Sequence, residues 1–291
     1  GGYEYAIGSI HGFSFLHGWT MAGLMTMPAN GDLTLQPGAA DEPFKGAGAG
    51  FHSRFRHEDE KASPGYYSVY LLDPKVQVEL TATDRTGYQR ISFPKDPSNR
   101  FMVSLNVPAE YGYDLRDAVI KRVNSTEIEG YAVSYSANFN AYTLYFVMQF
   151  SKPFKELPGW VHGQALDNHA SVKGDKDVGA YLSFPTDRAE TVVVRTCISF
   201  VSIDSARRNL KNASSQYGWD FDGLVKSNRK TWNDLLSVIS VKGGSKQDKT
   251  KFYTNLYRCF TSKMNMCDED GQYRDAMERV QQLPPGQNVM L

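Results

Sequence analysis

The stretch VQVELTATDRTGYQRISFP, residues 76–94, decides the architecture. Two runs rich in β-branched and aromatic residues, 76–83 and 88–93, flank Asp84-Arg85-Thr86-Gly87, a separator with the chemistry of a hairpin turn in which Gly87 can take a positive φ. Working outward, comparable runs occupy 66–72, 101–107, 118–123, 131–137, 142–150, 178–184 and 191–199, and residues 31–37 alternate like a further strand. Asp73-Pro74 and the segment 94–99 separate them as turns. Strands at this spacing with no helix-period segment between them predict a mainly β chain, a two-sheet antiparallel β-sandwich over residues 1–200. Residues 1–28 hold no sustained period and read as loop and short strand, and the Gly/Ala-rich run 38–50 reads as a linker or flap.

From Ser202 the pattern changes. Ser202 is placed to cap a helix beginning at Ile203, and Asp220 to cap a second whose Phe221, Leu224, Val225, Asn228, Trp232, Leu235, Leu236 and Ile239 share one face. Gly243-Gly244 ends it, and Ser245 with Asp248 forms a capping box for a third. There Phe252, Tyr253, Leu256, Tyr257, Phe260 and Met264 recur at three-four spacing, which predicts one buried side. The chain therefore divides into a sandwich, 1–200, and a helical region, 201–291, that reads as the front of a second domain.

Composition narrows the function. Thirty-two basic residues balance thirty-two acidic ones, and no basic run with interleaved aromatics marks a nucleic-acid binder. No apolar run reaches the roughly 20 residues of a membrane-spanning helix, and the first residues have neither a basic n-region nor an apolar h-region. Cys197, Cys259 and Cys267 lack metal-ligand spacing and read as buried free thiols.

PGYYSVYL (64–71), VELTATDRTGYQRISFP (78–94), YFVMQFSKPF (145–154), SFVSIDSARRNL (199–210), FYTNLYR (252–258) and DEDGQYR (268–274) follow one another in order, and together these blocks resemble glycoside hydrolase family 92, the calcium-dependent α-mannosidases. PGYYSVYL (64–71) with VELTATDRTGYQRISFP (78–94) is similar to that family's sandwich signature. YFVMQFSKPF (145–154), SFVSIDSARRNL (199–210), Trp219-Asp220-Phe221, Trp232 and FYTNLYR (252–258) are similar to its linker and first helices, and DEDGQYR (268–274) to its acidic D-x-D-G-x-Y-R segment. The resemblance implies a helical linker leading toward an (α/α)6 barrel, expected to be absent from this chain. That barrel would hold the acid and base carboxylates and the calcium ligands. It further implies an inverting exo-α-mannosidase acting on mannose-containing glycans in the periplasm or outside the cell, with this chain alone inactive and its partner the missing catalytic domain. The alternative is a stand-alone lectin-like sandwich, and a third reading is a scaffold without sugar contact. The buried-faced third helix favours the hydrolase, since a binding module has no use for it.

The same resemblance singles out Trp19, in the Gly-flanked HGW loop, for the sugar pocket, against the plainer reading of a loop anchor, and His17, two residues earlier, could hydrogen-bond a sugar hydroxyl, against that of an ordinary histidine. Asp268 and Asp270 could accept sugar hydroxyls, with Arg274 holding the carboxylate in a bidentate pair. The plainer readings there are a helix end and a domain-interface ion pair. As a calcium loop the segment fails, because Gly271 comes too early and no glutamate closes it. His11 is a weak candidate. Asp84 and Arg85 read as turn geometry, Trp219 and Trp232 as core, and the charged residues from His52 to Glu60 as a solvated segment. Asn124 and Asn212 fit the glycosylation acceptor pattern, which matters in a secretory host.

Overall fold

The computed structural model describes residues 5–16, 23–38, 50–105, 113–136, 140–166, 170–184, 187–261 and 265–288. Among them, nine strands form one antiparallel sheet in the spatial order Ser171–Gly174, Tyr113–Asn124, Glu127–Ser136, Asn140–Phe150, Glu190–Ser199, Thr86–Phe93, Val76–Ala82, Tyr66–Leu71 and Glu60–Ser63. A second sheet orders Gln164–Leu166, Gly159–Val161, Val178–Ser183, Arg100–Ser104, Met25–Ala29 and Phe13–Ser14. Their facing side chains make the main core, with Trp160, Phe93, Phe101, Phe146 and Phe150 almost fully enclosed.

The opening hairpin forms as read, in register from Gln77↔Ser92 to Ala82↔Gly87. Its second strand is covered on both sides. Ile91 and Phe93 enter the core between the sheets, and Gln89 bonds Thr26 of the other sheet at 3.0 Å. On the opposite side Tyr88 packs with Ala213, Phe221 and Leu224 of two helices. Arg90 lies 4.4 Å from the Phe221 ring centroid and binds Glu79 and Asp222.

The helices are α1 Ile203–Tyr217, α2 Phe221–Leu236 and α3 Lys246–Thr261. Ser202 accepts from the Ser205 amide and Asp220 from the Gly223 amide, so both expected caps are present. Ser245 and Asp248 close the capping box reciprocally at 3.0 and 3.1 Å. Helix α1 lies on the nine-stranded sheet, where Ala206 and Leu210 cover Val147 and Cys197.

Several expectations fail here. Residues 31–37 form no strand, because successive turns at Gly31-Asp32 and Leu35-Gln36 interrupt the alternation. Met25–Ala29, at the end of the stretch read as loop and short strand, is a buried strand pairing with Arg100–Ser104. Its Pro28 concealed it, yet pairing on the other side stops at Met25 and Thr26, so that side is open where proline's missing N–H is not needed. Gly87 does not adopt positive φ. Its lack of a Cβ instead admits the Phe15 ring, which would stand 3.0 Å from one. Helix α3 buries none of its described residues, and Phe260 is 40% exposed. Trp219 is also 40% exposed and rests under Arg195 at 3.7 Å, while Trp232 is half-buried against Tyr257. Helix α2 ends at Leu236, which leaves Ile239 outside it and exposed. Cys197 and Cys267 are buried but Cys259 is exposed, and none of the three is in a disulfide. In the charged segment His52 is buried and stacks on His11, so that residue is not solvated. Residues 39–49, the expected flap, lie outside the described residues, as does Met264.

Candidate functional site

One end of the sandwich opens into a groove of about 840 Å³ where four parts of the chain converge. Its walls are Phe13–Ser14 with the next two residues, the turn after Ala82, the faces of α2 and α3 carrying Asn228, Trp232 and Tyr257, and the segment ending at Asp268. Trp232 and Tyr257 pair with ring centroids 4.7 Å apart, which places an aromatic shelf on the helical side. Phe15 over Gly87 places another on the sandwich side.

The hairpin turn is held from below. Thr83 donates to the Thr86 carbonyl and the Thr86 amide to the Thr83 hydroxyl, which fixes the turn locally. The Cys197 thiol donates to the Arg85 carbonyl at 2.9 Å, and burial pushes its pKa up to about 12. That sulfur is a structural donor rather than a nucleophile. Arg85 then reaches across, donating Nε to the Cys267 carbonyl at 3.0 Å and Nη1 to Glu269 at 2.9 Å. Turn geometry was therefore an incomplete reading of Arg85, since it ties the sandwich hairpin to the acidic segment. No short-range pattern could have revealed a link between residues this far apart. Asp84 beside it is exposed, lines the groove, and accepts no hydrogen bond from the described residues.

Asp268 is 5% exposed and lines the same groove. One carboxylate oxygen accepts from the Ser199 hydroxyl and the other from Asn209 Nδ2, both at 2.7 Å. Asn209, on α1, also accepts from the Glu269 amide at 2.8 Å. The turn closes through Gly271, whose φ of 80° suits glycine and whose amide donates to the Asp268 carbonyl. Burial raises the Asp268 pKa, the bonds from Ser199 and Asn209 oppose that shift, and Asp270 adds to it. A carboxylate offers about four acceptor positions, so two protein donors leave capacity for a ligand hydroxyl.

The remaining candidates separate from Asp268. Asp270 is exposed and pairs with Arg208 of α1 at 2.8 Å, away from the groove lining. Arg274 does not grip either aspartate. It donates to the carbonyls of Phe200, Val201 and Glu278, so it fastens the ribbon Gln272–Arg274 to the exit of the sandwich. Carbonyls that end a strand need donors, and this guanidinium supplies them. His17 and Trp19 lie outside the described residues.

Two aromatic surfaces, a buried carboxylate and an exposed one that accepts no hydrogen bond from the described residues thus line one groove. A family model described as the glycosyl hydrolase family 92 N-terminal domain matches residues 1–199. The chain belongs to glycosyl hydrolase family 92. The family 92 catalytic-domain model matches residues 205–288. Among solved structures, the family 92 α-mannosidase BT3965 from Bacteroides thetaiotaomicron superposes with a TM-score of 0.89 at 27% identity, covering 99% of this chain and 39% of that one. The family 92 glycosyl hydrolase ccman5 gives a TM-score of 0.78 at 26% identity, covering 99% and 39%. Among curated proteins, an uncharacterized secreted glycosidase of the fungus Arthroderma benhamiae is 22% identical over 297 residues, 93% of this chain and 37% of its own length. This family 92 chain thus spans well under half the length of these relatives.

Proposed function

We propose that this family 92 chain is the sandwich and linker part of an inverting, calcium-dependent exo-α-mannosidase that removes mannose from glycans in the periplasm or outside the cell. The observation that carries the reading is Asp268, a buried carboxylate at the meeting of sandwich, linker and aromatic shelves. The α-mannosidase BT3965, similar over almost the whole chain, supports mannose as the sugar. The secreted fungal glycosidase supports the compartment, and no helix among the described residues is long and apolar enough to cross a membrane.

In this reading residues 1–200 form the sandwich domain and 201–291 the linker and first part of the catalytic region. Inverting hydrolysis needs an acid and a base about 6.5–9.5 Å apart, with water between base and anomeric carbon. That pair belongs to the family's (α/α)6 barrel, and this chain's share is recognition. Asp268 and Asp84 accept sugar hydroxyls, and Trp232, Tyr257 and Phe15 cover apolar ring faces. Trp19 is assigned to the same pocket by family resemblance and His17 by its place two residues earlier, whereas Asp270 and Arg274 shape the turn that presents Asp268.

Calcium would supply a template for sugar hydroxyls in the full enzyme. Among the described residues no group of three or more His, Cys, Asp or Glu side chains fits a metal ion, and Asp268 and Asp270 face different partners. Family resemblance assigns the ion's ligands to the barrel. A lectin-like module has no claim on residues 205–288, which match a catalytic-domain model. The test is mannose release from an aryl α-mannoside by the intact protein, with and without a chelator. Release abolished by the chelator and restored by calcium is expected, and chelator-insensitive release or none would end this reading.

A further inference from the structure

A second cavity, of about 350 Å³, opens at the opposite end of the sandwich between the loop after Met25–Ala29 and the turn at Asp73 and Pro74. Val76–Ala82 runs from that turn to the groove, and seven residues at about 3.3 Å each separate the two openings by roughly 20 Å. The cavity is lined by Asn30, Asp32, Phe51, Asp73, Arg100 and Met102, among others.

Arg100 is the anomaly. It is only 9% exposed, its Nε is buried without an acceptor, and among the described residues its one side-chain hydrogen bond runs from Nη2 to the Gly31 carbonyl. Among the described residues it forms no ion pair, although the charges of Asp96 and Asp32 act on it from a distance. Burying a guanidinium so sparsely partnered is costly, and a structural role would be filled as well by an apolar side chain. On the same rim Asp32 is exposed and accepts no hydrogen bond from the described residues. Asp73 is committed, since it accepts from Arg54 Nη2 at 2.6 Å and from the Arg54 amide at 2.7 Å. Asn30 donates Nδ2 to the Pro74 carbonyl at 2.7 Å.

An uncommitted cation and an uncommitted anion on one rim select against charged ligands, because Asp32 repels an anion and Arg100 repels a cation. Adjacent hydroxyls satisfy both, accepting from the guanidinium and donating to the carboxylate, while Phe51 and Met102, almost fully buried in the core, floor the cavity. We propose that this cavity is a second, non-catalytic saccharide site that holds one neutral pyranose unit, distinct from the groove.

The test is an amide chemical-shift titration of this chain with the methyl glycosides of mannose, glucose and galactose, read at Gly31, Asp32 and Gly50. Saturable shifts with at least one sugar are expected. Asp32→Ala, an exposed substitution that keeps the fold, and Arg100→Met should each weaken them at least tenfold, while Asp268→Asn in the groove should leave them unchanged. Absence of shifts with all three sugars overturns the proposal, as do shifts that survive in Asp32→Ala. Inorganic phosphate or sulfate shifting these amides where no sugar does would overturn it in favour of an anion site.

Discussion

Two amphipathic elements of this chain, the strand Thr86–Phe93 and the helix Lys246–Thr261, are written with equal clarity and meet opposite fates. The strand has helices on one side and the second sheet on the other, so Tyr88 and Ile91 both reach 0% exposure. The helix rests on α2 through Tyr257 against Trp232 and leaves Phe260 40% exposed. Periodicity states that a face is apolar. It does not state how much of that face this chain covers.

The difference can be broken at its strongest point by truncating the strand. Phe93→Ala removes an enclosed ring from the main core and should cost about 3–5 kcal/mol in a guanidinium unfolding series. A loss under about 1 kcal/mol would mean that the two sheets are not packed as described. The helix sharpens the contrast from the other side. Phe260→Ala should shift stability of this chain by no more than about 0.5 kcal/mol. A cost above about 2 kcal/mol would reveal that something beyond the described residues buries the stripe.

Between these extremes lies the acidic turn, where the proposed recognition role of Asp268 sets itself against stability. Because the native state raises the Asp268 pKa, it binds that proton more tightly than the unfolded chain does. This contribution favours folding at acid pH and is lost as pH rises from the ordinary carboxylate range, near 4, through the raised native value. Asp268→Asn keeps a side chain able to bond Ser199 and Asn209 while removing the charge that burial disfavours. Its melting temperature should therefore equal or exceed that of the wild type at neutral pH, and the gain should shrink as pH falls below about 4.

The sandwich was legible because its strands carry β-branched and aromatic runs between turn residues, and the three helix starts because Ser202, Asp220 and Ser245 are caps that act within three residues. The bounds of Met25–Ala29, within a stretch read only as loop and short strand, were not legible, because a proline that is harmless beside an open edge looks like a strand breaker. The candidate site was half legible. Asp268 lines the groove, but Arg274 looked like its partner only by proximity in sequence. The groups that hold it, Ser199 and Asn209, come from a distant strand and helix. Arg85 was passed over for the same reason, since its role depends on a chain crossing that only the fold creates.

The central claim is that Asp268 serves sugar recognition at some expense of stability. It is tested most directly by kcat/KM for an aryl α-mannoside in the intact protein and its Asp268→Asn variant, alongside melting temperature at neutral pH. The account predicts a loss of about 10- to 100-fold, the worth of a charged hydrogen bond to substrate, with the melting temperature unchanged or higher. Wild-type activity in the variant, or a loss of activity matched by a loss of fold, would contradict it.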